Sequence, residues 1–141
     1  DAVVGGFSQG GGLALGLVLS ADARHAPAAA FGVCSFPPVV QGFRVDPQAC
    51  AGRPYFLSSA RQDHFAGIEM SRAGAALLRD VGLDLTYVES DGGHEMTDLA
   101  AAQIGAWIAS LGEAGHPDDA HLLDGIAGLD GHFAGLWELV S

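Results

Sequence analysis

The chain has 141 residues, 49% of them hydrophobic and 16% charged, with a mean hydropathy of +0.27. That much apolar material builds a core within one compact domain and excludes intrinsic disorder, while no apolar run approaches the roughly 18 residues of a membrane span. Seventeen Asp and Glu stand against six Lys and Arg, a formal net charge of −11; a chain so acidic repels phosphate backbones, which argues against a nucleic-acid partner.

In chain order, short apolar runs alternate with helix-like patterns. Residues 2–6 (AVVGG), 28–36 (AAAFGVCSF), 54–60 (PYFLSSA) and 83–89 (LDLTYVE) read as strands. The first three are nearly continuously apolar, as in a parallel sheet covered on both faces. Residues 10–19, 69–81 and 97–111 read as helices, and the alternation predicts an α/β layer fold with right-handed crossovers. The first helix (GGGLALGLVLS) is apolar nearly all round, which predicts complete burial. The second places Ala73, Ala76, Leu77 and Val81 on one stripe, and the third turns Leu99, Ile104, Trp107, Ile108 and Leu111 inward. Residues 37–53 lack a clear period and read as a loop.

From residue 113 the composition shifts. An acidic stretch with the breaker HPDD is followed by Leu122, Ile126, Leu129, Phe133, Leu136 and Val140 at alternating spacings of four and three. This predicts an acidic linker and an amphipathic tail helix over 113–141, although four glycines weaken it. His116, Asp118, Asp119 and His121 do not fit a helical pair of metal ligands, and neither a metal nor another cofactor is expected. Cys34 and Cys50 could pair, but in a chain this apolar they read rather as free buried thiols of a reducing, cytoplasmic compartment.

The chemistry concentrates in Gly6-Phe7-Ser8-Gln9-Gly10, a G-x-S-x-G pentapeptide between an apolar strand and an apolar helix, the context of a nucleophile elbow. A strand turning into a helix within a few residues crowds the backbone two positions either side of the serine. Gly6 and Gly10 are the small residues expected there. Ser8 is then presented on a strained turn, and the free N–H of Gln9 at the start of the helix is a candidate oxyanion donor.

A serine nucleophile needs a base, and the base needs an orienting acid. Asp63 follows the third strand and His94 follows the fourth, so the order Ser, Asp, His matches an α/β-hydrolase, and all three fall at strand C-terminal ends. Asp91 is a rival acid but reads as a turn residue, and His64 sits on the loop of the acid. His25, His116, His121 and His132 lie in polar contexts.

GFSQGG, then P-x-F-L-S-x-x-x-Q-D, then GLDLTYxExxGGHEM and a final Trp-bearing helix resemble the phospholipase/carboxylesterase family of α/β-hydrolases, which includes acyl-protein thioesterases. The resemblance covers about residues 2–111. It implies Ser8 as nucleophile, Asp63 as acid and His94 as base, acting on a small acyl ester or thioester without a cofactor. Relatives usually carry His-Gly where Ser59-Ala60 stands, and a Pro soon after the acid where His64-Phe65-Ala66 stands. They also have about as much chain again before the elbow. This chain opens at Asp1, not Met, directly before its motif, as a piece of something longer would. Residues 1–112 are thus expected to form the C-terminal half of an α/β-hydrolase domain, about four parallel strands with flanking helices. Without earlier strands, the edge at residues 2–6 invites a homodimer. The alternative to a serine hydrolase is a catalytically impaired remnant that serves as a binding or interaction module.

Overall fold

A computed structural model describes residues 2–20, 25–37, 41, 43–112 and 138–140. The chain divides into two compact units, Asp1–Glu95 with Trp137–Ser141, and Met96–Leu136.

The first unit is built on one sheet. Strands β1 (Ala2–Phe7), β2 (Ala29–Val33), β3 (Pro54–Ala60) and β4 (Asp84–Ser90) pair in parallel, in sequence order across the sheet. Helix α1 (Gln9–Ser20) connects β1 to β2, a short α2 (Pro47–Cys50) precedes β3, and α3 (Ile68–Asp80) connects β3 to β4. The expected strands and parallel pairing are present, although β2 ends at Val33 and leaves residues 34–36 of the expected run outside the sheet. The ladder also continues past the strand ends. The N–H of Ser8 donates to Val33 O (2.8 Å), that of Cys34 to Ser58 O (2.8 Å) and that of Arg61 to Ser90 O (2.9 Å). The residues that leave these strands therefore keep one more hydrogen bond to the neighbouring strand.

The core joins Ala14, Leu15, Val18 and Leu19 of α1 to Ala30, Tyr55 and Leu57 of the sheet, with Leu78 of α3 and Leu83. Each fully buried large apolar side chain contributes roughly 1.5–3 kcal/mol. β2 and β3 are buried along almost their whole length, which is why their sequences are apolar without alternation.

Several local expectations need correction. Helix α1 is not wholly buried: Leu13 is 72% exposed and Leu17 about half exposed among the described residues. In α3 the buried stripe is Ser71, Ala75 and Leu78, not Ala73, Ala76 and Leu77. The run AGAALL offers alanine on several faces and leucines side by side, so periodicity does not choose between the two rotations. Leu77 instead lines an apolar groove of about 270 Å³ with Phe36, Pro37 and Met70. The segment 37–53 contains α2, which Asp46 caps through its carboxylate on the N–H of Gln48 (3.0 Å) and Ala49 (3.4 Å), with Pro47 at the first helical position.

Another correction concerns the tail. Residues Glu138–Val140 form a strand, β5, antiparallel to β1, with Ala2 opposite Val140 and Val4 opposite Glu138. The expected helix therefore does not extend to Val140. An open strand edge offers a full row of hydrogen-bonding groups, and three residues of the tail take part of it. The remainder of the expected linker and tail helix, including His116, Asp118, Asp119, His121 and His132, lies outside the described residues.

Of the second unit, helix α4 (Asp98–Gly112) is described. Thr97 opens it, its hydroxyl accepting from the N–H of Ala100 at 3.0 Å. Ile104 and Trp107 are buried as expected, whereas Leu99 is more than half exposed. Among the described residues no helix is long and apolar enough to cross a membrane.

Candidate active site

Ser8 occupies the single residue between β1 and α1, with φ +55°. A non-glycine residue rarely adopts this left-handed conformation, and it persists only where the surroundings impose it. Here the N–H is bonded to Val33 O and the carbonyl accepts from Gly12 N at 3.2 Å, so both sides of the turn are fixed. A Cβ at Gly6 would lie 2.4 Å from the carbonyl carbon of Gly10, so glycine is required where the helix backbone crosses the strand. The same reasoning fails at Gly10, where a Cβ meets nothing within 4 Å. The crowded glycine beyond the serine is Gly11, whose Cβ would fall 2.6 Å from Ser35 and 2.8 Å from Gly6 O. Gln9 is the first residue of α1, and a helix leaves its first N–H groups without intrahelical partners.

Asp63 lies on the loop that leaves β3 and is buried. Its Oδ1 accepts from the N–H groups of Phe65 and Ala66, each at 2.8 Å, leaving Oδ2 to face the Nδ1 of His94 at 2.8 Å. Burial pushes this carboxyl upward in pKa. The hydrogen bonds from His94, Ala66 and Phe65, aided by the neighbouring Cys34 thiol, outweigh it and hold the group below its ordinary value.

His94 lies on the loop after β4. Gly92, at φ +124°, turns the chain there, and the two loops are stitched together: Gln62 N–H donates to Gly92 O at 2.9 Å and Gln62 Oε1 accepts from Gly92 N. The Nε2 of His94 is 2.9 Å from Ser8 Oγ. Phe7 and Phe65 flank the imidazole, with ring centroids 4.7 and 5.0 Å away. Ser8, His94 and Asp63 thus form one continuous hydrogen-bonded chain at the C-terminal rim of the sheet.

The rival residues lie elsewhere. Asp91 is largely exposed and pairs with Arg61 at 2.9 Å, and His64 is exposed on the acid loop. Nearby, Arg72 bridges Glu69 and Glu89 on the surface, and its guanidinium holds the Glu89 carboxyl down to about 2. Exposed pairs of this kind contribute little to stability.

Sequence reasoning missed one neighbour. Cys34 directly follows β2, its side chain is buried, and its Sγ, the Asp63 carboxylate and a ring nitrogen of His94 lie within 4.8 Å of one another. This is the group of potential metal ligands found among the described residues. Two of its three members are already hydrogen-bonded to each other, and burial pushes the Cys34 thiol up to about 11. No signal in the sequence marked Cys34, since residues 28–36 read as one strand that contains it; β2 ends at Val33, which puts Cys34 at the rim.

No protein-family model matches the sequence, and no curated protein matches it. Solved structures do. The chain is similar to Arabidopsis thaliana SOBER1 (21% identity, TM-score 0.62), with 75% of this chain covering 50% of that one. It is also similar to esterase PE8 (23% identity, TM-score 0.57, 75% and 48%) and to Zea mays acyl-protein thioesterase 2 (14% identity, TM-score 0.57, 75% and 54%). The chain spans about half the length of each of these proteins. Parallel strand order, flanking helices and these likenesses together show an α/β-hydrolase-like fold.

Proposed function

We propose that this chain carries the nucleophile, base and acid of a serine hydrolase acting on small carboxylic esters or thioesters. The supporting observation is the hydrogen-bonded chain from Ser8 Oγ through His94 to Asp63, with links of 2.9 and 2.8 Å. These are hydrogen-bonding distances, as proton transfer from a hydroxyl to a base demands.

In this reading Ser8 Oγ attacks the acyl carbon while its proton passes to His94 Nε2. Asp63 Oδ2 accepts from Nδ1–H, which holds the tautomer whose Nε2 is free to take that proton and stabilises the imidazolium formed. The imidazolium then gives its proton to the departing alcohol or thiol, leaving Ser8 acylated. Water, deprotonated by His94, attacks the acyl carbon, the acid is released and the proton returns to Ser8. The Gln9 N–H at the positive end of α1 is the donor this chain offers to the developing oxyanion; loss of one donor of such a hole typically costs about 100- to 1,000-fold in rate. The similar structures include an esterase and an acyl-protein thioesterase, which supports an acyl substrate.

A fluorophosphonate probe tests the proposal, because it labels a serine only where a base activates it. Wild-type protein is expected to be labelled at Ser8 and Ser8→Ala to remain unlabelled, with turnover of a short p-nitrophenyl ester following the same pattern. Equal labelling of the two proteins would refute the reading.

A further inference from the structure

Two non-glycine residues among those described have a positive φ: Ser8, and Cys34 at +49°. They leave adjacent parallel strands at equivalent positions, since Phe7 is opposite Val33. Left-handed backbone at a non-glycine residue costs on the order of 1 kcal/mol or more and is retained where the surroundings over-determine it. For Ser8 the site explains it. For Cys34 the core does not, because a small apolar side chain beside a strand end needs no such turn.

The turn directs the thiol to a particular place. Cys34 Sγ lies 3.8 Å from the carbonyl oxygens of both Gly93 and Glu95, the two residues that flank His94. It also lies within 4.8 Å of the Asp63 carboxylate. We propose that Cys34 is a positioning residue for the Asp63–His94 pair: its single S–H, fixed by the strained turn after β2, is shared between the carbonyls that flank His94 and the neighbouring Asp63 carboxylate, and so ties the His94 loop to the acid. This deepens the serine-hydrolase reading and rests on it for its catalytic consequence. Burial keeps the group a thiol and therefore a donor. The groups facing Asp63 are His94 from the loop after β4, Cys34 from the end of β2, and the N–H groups of Phe65 and Ala66 on its own loop. Removing Cys34 takes away a donor that only partly overlaps the others in function.

The experiment compares wild type with Cys34→Ala and Cys34→Ser by two readouts, the rate of fluorophosphonate labelling of Ser8 and a carbon NMR titration of the Asp63 carboxyl. Cys34→Ala is expected to slow labelling about tenfold, less than the ~100-fold that follows a full 1 Å misplacement. The Asp63 midpoint is expected to move up, because a donor to the charged form has gone. Cys34→Ser, which keeps a donor, restores both. Where the Ala variant fails to fold, Cys34→Gly replaces it, since glycine accepts the positive φ without strain; the same slowing and upward movement are expected. An unchanged labelling rate with an unchanged Asp63 midpoint overturns the inference, as does a Ser variant no better than the Ala variant. Absence of label on the wild type overturns the hydrolase reading, and the Asp63 titration then still decides whether the thiol acts on the acid.

Discussion

The Oγ of Ser8 and the Nε2 of His94 stand 2.9 Å apart although 86 residues separate them along the chain. No local interaction brings them together. β1 and β4 are not neighbours in the sheet; two intervening strands, in register and bonded past their ends, fix the distance between the serine turn and the imidazole loop. The relationship is a property of sheet order, and side chains complete it.

Asp63 links this site to acid stability. Its carboxyl titrates below its ordinary value in the folded chain, so its contribution to stability is present above the unfolded value, about pH 4. That contribution is lost as the pH falls through the lower, folded value. Urea unfolding followed from pH 7 to pH 3 should show Asp63→Asn losing less stability on acidification than wild type. The same variant should label with fluorophosphonate at least about 100-fold more slowly, because an amide no longer selects the tautomer that frees Nε2. A wild-type pH dependence in Asp63→Asn would show that the acid loss originates elsewhere.

The two glycines of the pentapeptide should respond in opposite directions. In Gly6→Ala the new methyl meets backbone atoms of Gly10 and Gly11 at 2.4–2.8 Å, and backbone cannot give way as a side-chain tip can. Overpacking of this kind costs about 1–3 kcal/mol or more, so a clear fall in melting temperature is expected. Gly10→Ala meets open space inside a helix and should be neutral or stabilising by up to about 1 kcal/mol. Thermal unfolding of both variants checks the contrast, and equal losses at the two positions would contradict it.

Both cysteines are free and buried, and burial raises both thiols. For Cys34, at about 11, only about one molecule in a thousand is thiolate at pH 8, and the thiolate is the reactive form. A chromogenic thiol reagent should therefore react with neither cysteine in the native protein at pH 8 and with both after denaturation. Rapid native reaction at Cys34 would mean that the rim opens far more often than its packing implies.

Much of the architecture was legible in the sequence. Continuous apolar runs marked β2 and β3 because both faces of those strands are covered. Gly6, Ser8, Asp63 and His94 could be placed in sequence because a strand-to-helix turn and post-strand loops have strong local signatures. The rotation of α3 could not, since alanines and adjacent leucines satisfy two helix faces equally. Asp46-Pro47 did carry the signal of a short helix within a segment read as loop.

By itself the sequence determined the order of strands and helices, the strand-to-helix turn at Ser8 and the place of Asp63 and His94 on loops after strands, because these depend on local sterics and periodic burial. Tertiary structure alone decided that Asp63 reaches Nδ1 while Asp91 turns to Arg61, that Gly11 rather than Gly10 is the crowded glycine, that Cys34 lies beside the acid, and that residues 138–140 pair with β1. Each of those depends on which distant backbones lie side by side, and hydrogen-bond register across a sheet is set by the chain as a whole.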